Sequence, residues 1–293
     1  HPKTIILFFK QAGEDAGVEA LGFLPKCADV EIPSRHLGLS LDEDFCFEEF
    51  ADRVAELVEK HVNINRLLEL TKPVATAVVP ISAGRHIYKR EPSFPIAVAC
   101  DPAFNFVYEA NIRYLHHLGE VTYFSPLADT SLPDAGFVYL PGGYPELYLA
   151  ALSANRQMLQ SIRRYVESGG KLLAECGGMM YLCDEIRDKN GYVYPMAGVL
   201  HQSATMENMK LRLGYRTLLY NETRLKGHEF HYSRLVEQQN PLPSCAVAYT
   251  AKGVETDTPL YHYKNVWAGY THLYWADPVG NEWFTKFVID GNI

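Results

Sequence analysis

Apolar positions recur along this chain in two different periods, and the change between them divides it. Residues 4–9 form a short apolar run that reads as a buried strand, 13–20 read as a turn and short helix, and 20–25 as a second strand-like run closed by Pro25. From 45 to 70 the side chains Phe50, Val54, Leu57, Val58, His61, Ile64, Leu67 and Leu68 recur at helical spacing, which predicts one long amphipathic helix. Residues 72–95 change character. They hold Pro73, Pro80, Gly84, Pro92 and Pro95 together with Arg85, Lys89 and Arg90, the make-up of an interdomain linker.

Beyond the linker, short apolar runs alternate with helical periodicity. Strands are predicted at 96–100, 121–124, 136–140 and 171–175, and helices at 108–118, 147–152 and 155–167. That alternation predicts an α/β fold, a parallel sheet with helices on both faces. Ligands of such sheets bind at the carboxyl ends of the strands, where Asp101, Pro141-Gly142-Gly143 and Cys176 fall. After Glu185 the pattern is strand-like at 192–200, 211–220 and 227–232. An apolar, aromatic segment at 265–275 and a terminal helix at 281–289 follow. Two domains are expected, 1–90 and 95–293.

The sharpest chemical signal is Lys171-Leu172-Leu173-Ala174-Glu175-Cys176-Gly177-Gly178-Met179-Met180-Tyr181. A strand, a tight turn and a helix would hold the thiol at an apex, as in a nucleophile elbow. Free N–H groups at the helix start are expected to lower the thiol pKa below about 8.5. Cys27, Cys46, Cys100, Cys183 and Cys245 read as small core residues.

A cysteine nucleophile needs a base, usually histidine. Two groups stand out: His228 and His231 flanking Glu229 in Gly227-His228-Glu229-Phe230-His231-Tyr232-Ser233, and His272 in Gly269-Tyr270-Thr271-His272. The backbone of Gly142-Gly143 and the N–H of Gly177 are the candidate oxyanion donors.

Composition narrows the partners. The 293 residues are 47% hydrophobic and 21% charged, ordinary values for a globular protein with ample core. A net charge of −8 disfavours nucleic acid. Six scattered cysteines without a CxxC pair argue against a disulfide framework and against a zinc site, and a reducing cytoplasm fits them best. No apolar run has membrane-spanning length and no secretory signal is evident. The chain starts at His1, so a trimmed start is expected, and it carries no P-loop motif.

Several motifs in fixed order now carry a resemblance. Ile32-Pro33-Ser34-Arg35-His36-Leu37-Gly38-Leu39, Asp101-Pro102-Ala103-Phe104-Asn105-Phe106, Leu140-Pro141-Gly142-Gly143-Tyr144-Pro145-Glu146, Ala174-Glu175-Cys176-Gly177-Gly178-Met179-Met180-Tyr181-Leu182, Pro195-Met196-Ala197-Gly198-Val199-Leu200 and Gly227-His228-Glu229-Phe230-His231-Tyr232-Ser233 resemble the cobyrinic acid a,c-diamide synthases. The resemblance runs from about Leu21 to about Trp275. It implies a flavodoxin-like class I glutamine amidotransferase domain at 95–293, preceded at 1–90 by the tail of a P-loop synthetase domain.

It further implies glutamine and a cobyrinate-type tetrapyrrole as substrates. An upstream ATPase-like domain would use ATP and Mg²⁺, and this chain itself would hold no cofactor or metal. By the same resemblance Cys176 is the nucleophile that forms a thioester, and His272 is the base. Gly142, Gly143 and Gly177 line the oxyanion and glutamine site. His231 and Glu229 are the alternative base or substrate contact, and Arg35 and His36 face the synthetase side.

Two departures from ordinary class I amidotransferases stand in this chain. Tyr274 occupies the place of the triad glutamate, and Met180 that of a glutamine. Other readings stay open: cobyric acid synthase, nickel-sirohydrochlorin diamide synthase, a weakly catalytic binding domain, or another cysteine hydrolase. Homo-oligomerisation also stays open.

Overall fold

The computed structural model describes residues 2–31, 34–35, 38–39, 46–71 and 94–290. The chain divides into two compact units, His1–Gly84 and Arg85–Ile293.

The first unit holds α1 (Pro2–Asp15), an antiparallel pair β1 (Ser34–Arg35) and β2 (Gly38–Leu39), α2 (Phe47–His61) and α3 (Ile64–Leu70). The strand expected at 4–9 is helix. A short apolar run fits either period, and no turn signal interrupts it before Gly13. Phe8 and Phe9 on this helix are exposed.

The single helix expected at 45–70 is broken at Val62 and Asn63. The Val62 N–H closes α2 on Val58 O, and the Asn63 side chain accepts the Arg66 N–H at 3.0 Å as the N-cap of α3. The run at 20–25 is no strand. It gives one bridge, Gly22 to Val62, where a Cβ on Gly22 would lie 2.1 Å from His61 O.

The second unit is built on a six-stranded sheet. Its strands are β3 (Pro95–Ala99), β4 (Glu120–Phe124), β5 (Phe137–Leu140), β6 (Lys171–Glu175), β15 (Leu260–Tyr263) and β16 (Val266–Gly269), in the order β15-β16-β6-β5-β3-β4. All pairs are parallel except the edge pair β15–β16. The accompanying helices are α4 (Glu109–Leu118), α5 (Leu149–Ala154), α6 (Arg156–Glu167), α7 (Gly177–Leu182) and α8 (Pro278–Thr285), the last running into a π-helical turn, Lys286–Asp290.

All of β5 is buried, Val138 and Leu140 as well as Phe137 and Tyr139, so both faces of the sheet are covered at its centre, while the edge strand β4 is largely exposed. Phe137 and Tyr139 join a core with Leu115, Trp267, Trp275, Trp283 and Phe284. Burying each of the larger side chains contributes about 2–3 kcal/mol.

Two further sheets follow. β7 (Glu185–Arg187), β8 (Val193–Pro195), β9 (Ser203–Thr205) and β12 (Arg234–Leu235) form one of four strands. β10 (Arg212–Tyr220), β11 (Thr223–His231), β13 (Val247–Thr250), β14 (Glu255–Thr256) and β17 (His272–Leu273) form an antiparallel sheet of five. The strand expected at 192–200 shrinks to β8, because Pro195 closes it and Gly198 turns the chain at φ 63°.

The segment at 265–275 is two strands in different sheets. β16 pairs with β6 in the parallel sheet, and β17 pairs with β11 in the antiparallel one. The crossing between them sets the position of His272.

Candidate active site

Cys176 stands between β6 and α7 at φ 48° and ψ −106°, a conformation that side chains other than glycine avoid. Its N–H donates to Gly269 O at 2.7 Å, and its carbonyl accepts the Met180 N–H at 3.0 Å. Neighbouring glycines let the backbone close in. A Cβ on Gly178 would lie 2.1 Å from Leu140 O, and one on Gly177 would lie 3.2 Å from both N and O of Gly143. The elbow therefore rests directly on the turn that ends β5.

The same turn reaches the histidine. A Cβ on Gly142 would lie 2.2 Å from His272 Cε1. Gly142, Gly143, Gly177 and His272 are thus brought together around the thiol-bearing elbow.

His272 lies on β17, directly opposite His228 of β11. Its ring stacks on His228, centroids 5.0 Å apart at 22°, and meets the Phe106 ring edge-on at 4.6 Å. Nδ1 of His272 is buried without a hydrogen-bond partner among the described residues. Burial pushes the imidazole pKa down to about 3, and nearby His228 and His231 push the same way. His272 is therefore neutral at pH 7 and able to accept a proton.

The backbone around it is held from two sides. Buried Asn111 donates to Leu273 O at 2.8 Å and accepts the Trp275 N–H at 2.9 Å. Glu175 accepts the Leu273 N–H at 3.0 Å and the Tyr139 hydroxyl at 2.6 Å. Burial raises the Glu175 carboxyl to about 8, against those two hydrogen bonds.

The expected low thiol pKa is corrected. Burial pushes Cys176 upward, and the carboxylates of Glu146, Glu175 and Glu229 add to it; the Gly177 N–H opposes them and loses. Cys176 rests as a thiol. Cys46 and Cys100 are exposed rather than core, Cys27 and Cys245 are half-buried, and Cys183 is buried as expected.

Strand alternation puts Glu229 and His231 on the opposite face of β11 from His228. Glu229 is buried in an ion pair with Arg216 at 2.7 Å. His231 donates through Nδ1 to Ser233 O at 2.9 Å and stacks on Tyr270 at 3.8 Å. The Ser233 hydroxyl reaches Sδ of Met180 at 3.2 Å.

Tyr274 is 39% exposed, with its ring edge-on to Tyr108. Only the backbone of Arg35 is described, and His36 lies outside the described residues, as does most of the linker expected at 72–95.

Sequence reasoning missed the parts played by Glu175 and Asn111. Both left a signal: an acidic residue ending a buried apolar run, and an amide on the apolar face of a predicted helix. No group of metal-ligating side chains is found among the described residues, and no described helix is long and apolar enough to cross a membrane.

Comparison with known proteins gives the family. The chain is 36% identical over 265 residues to a hydrogenobyrinate a,c-diamide synthase of Stutzerimonas stutzeri, covering 88% of this chain and 58% of that protein. It is 35% identical over 283 residues to a cobyrinate a,c-diamide synthase of Clostridium acetobutylicum, covering 93% and 61%. The chain thus spans about three-fifths of the length of these relatives. Among solved structures, a glutamine amidotransferase of Thermotoga maritima matches with a TM-score of 0.42 at 12% identity, covering 68% of this chain and 84% of that one. Residues 95–279 match the CobB/CobQ-like glutamine amidotransferase domain, and the chain belongs to that family.

Proposed function

We propose that this chain is the glutamine-hydrolysing, ammonia-supplying part of an ATP-dependent a,c-diamide synthase acting on a cobyrinate-type macrocycle. The observation that carries the reading is the strained Cys176 elbow, whose neighbouring glycine turn also touches His272. The names of the relatives, hydrogenobyrinate and cobyrinate a,c-diamide synthase, support the macrocycle.

Because the thiol rests protonated, attack and proton transfer are coupled. His272 takes the Sγ proton as Sγ bonds to the side-chain amide carbon of glutamine. The backbone N–H groups of Gly143 and Gly177 face the developing oxyanion. His272 then returns the proton to the leaving nitrogen, the C–N bond breaks, and ammonia departs. Water, its proton taken by His272, attacks the γ-glutamyl thioester; glutamate and the thiol are released.

Ammonia is useful to an acceptor only as the free base. A synthetase portion using ATP and Mg²⁺ would activate the macrocycle's carboxylates, and residues 1–90 are read as the tail of that portion. Arg35 and His36 belong to its side of the protein in this reading.

The test is covalent. A glutamine-analogue chloroketone should label wild-type chain at Cys176 and leave Cys176→Ala unlabelled. A second reading, a binding domain that kept the fold, draws on Tyr274 and on the unpartnered Nδ1 of His272. A Cys176 that stays unlabelled while glutamine still binds would decide for it.

A further inference from the structure

In a triad, a carboxylate on Nδ1 holds the base in its tautomer and orientation. Here His272 Nδ1 has no such partner among the described residues, yet the ring is confined on several sides. Phe106 meets it edge-on, Gly142 abuts Cε1, and His228 covers one face. His228 is itself fixed. It is the cross-strand neighbour of His272, and its Nδ1 is hydrogen-bonded to the Tyr108 hydroxyl, which precedes α4. Tyr108 in turn packs edge-on against Phe106 and Tyr274.

We propose that His228, clamped by Tyr108, is the positioning residue for His272 and supplies by ring stacking the orientation that a carboxylate would otherwise give. This rests on the reading of His272 as the base for Cys176.

The arrangement has a chemical consequence that a plain aromatic wall would lack. Two stacked imidazoles cannot both carry a proton cheaply, so a charge on His228 opposes a charge on His272. The groups facing His228 are Tyr108 before α4, His272 on β17 and Tyr215 opposite it on β10; Glu229, next in sequence but on the other face of β11, acts on it through its charge. The Glu229 charge favours a charge on His228, whereas burial disfavours it and prevails. The Tyr108 hydroxyl, raised to about 12 mainly by burial, keeps its proton and stays hydrogen-bonded to Nδ1, which fixes the orientation of the His228 ring. Neutral His228 gives the imidazolium that forms on His272 a π-face to lie against.

The experiment measures the rate of Cys176 labelling by the glutamine chloroketone from about pH 3 to 9, a range that reaches the acid limb set by His272, in wild type, His228→Phe and His228→Ala. His228→Ala removes the wall and should label about tenfold or more slowly at neutral pH. His228→Phe keeps a flat wall without a titrating group. It should stay within about threefold of wild type at its plateau, with the acid limb moved up by about half a pH unit or more, because His272 then protonates more easily.

A wall that merely fills space would leave that limb unmoved, and a His228→Phe profile superimposable on wild type overturns the inference. A His228→Ala chain labelled at the wild-type rate does so too; if that variant does not fold, the His228→Phe profile alone decides. A wild-type chain that is never labelled overturns the glutaminase reading, and this inference with it. A labelled wild type with unaffected variants overturns this inference alone.

Discussion

The Glu175 carboxyl accepts the Leu273 amide at 3.0 Å, which ties the residue before the candidate nucleophile to the residue after the candidate base. The link is backbone-directed, so Glu175 sets the position of His272 without touching its ring nitrogens. Glu175→Ala orphans both the Leu273 N–H and the Tyr139 hydroxyl and should cost about 2–4 kcal/mol, whereas Glu175→Gln keeps the shape and should cost about 1 kcal/mol or less. The pH dependence has a definite sign. The carboxyl is raised from the ordinary 4.5 to about 8 in the fold, so its contribution to stability is present below about 4.5 and is lost as pH rises through 8. Glu175→Gln does not titrate and should gain on wild type across that window, as read from urea unfolding at a series of pH values.

Gly142 leaves room for the imidazole. In Gly142→Ala the new methyl would lie 2.2 Å from His272 Cε1, so the ring must move. Glutamine hydrolysis should fall about a hundredfold, with a stability loss of only about 1–3 kcal/mol. Initial rates and thermal melts on the same preparation check the two together; a variant with full activity would contradict this placement of His272.

Arg216 and Glu229 form an ion pair with little access to water. Arg216→Ala strands the Glu229 carboxylate and should destabilise the chain by about 3–5 kcal/mol. Combining it with Glu229→Leu should restore most of that loss. Denaturant midpoints of the two single variants and the double variant would show the non-additivity.

The positive φ at Cys176 is a local strain that only glycine carries freely. Cys176→Gly should therefore be more stable than Cys176→Ala by about 1 kcal/mol, with both inactive. Equal melting temperatures would mean that the elbow is not strained in solution.

Much of the parallel sheet was legible, because each apolar run there ends at a turn signal; 171–175 matches β6 residue for residue. The run at 4–9 had no such boundary, and its period could not be told. Gly269 gave no sign that the chain changes sheets there, since both halves of 265–275 are equally apolar. Cys176 and His272 could be named from motifs, but the electrostatics of the thiol could not. That depends on burial and on carboxylates from three separate segments, Glu146, Glu175 and Glu229, which the local helix-start argument omits. Asn111 and Glu175 likewise act on residues more than ninety positions away.

That long reach has a consequence for biosynthesis. Glu175 and Leu273 are 98 residues apart in the chain, and the first leaves the ribosome well before the second. A nascent chain that has exposed Cys176 carries a thiol without its candidate base, without its sheet partner in β16 and without the Asn111 grip on the segment after His272. On the proposed reading, hydrolysis of glutamine is thereby withheld until the segment that carries His272 has emerged, and a chain cut short before it would consume no glutamine.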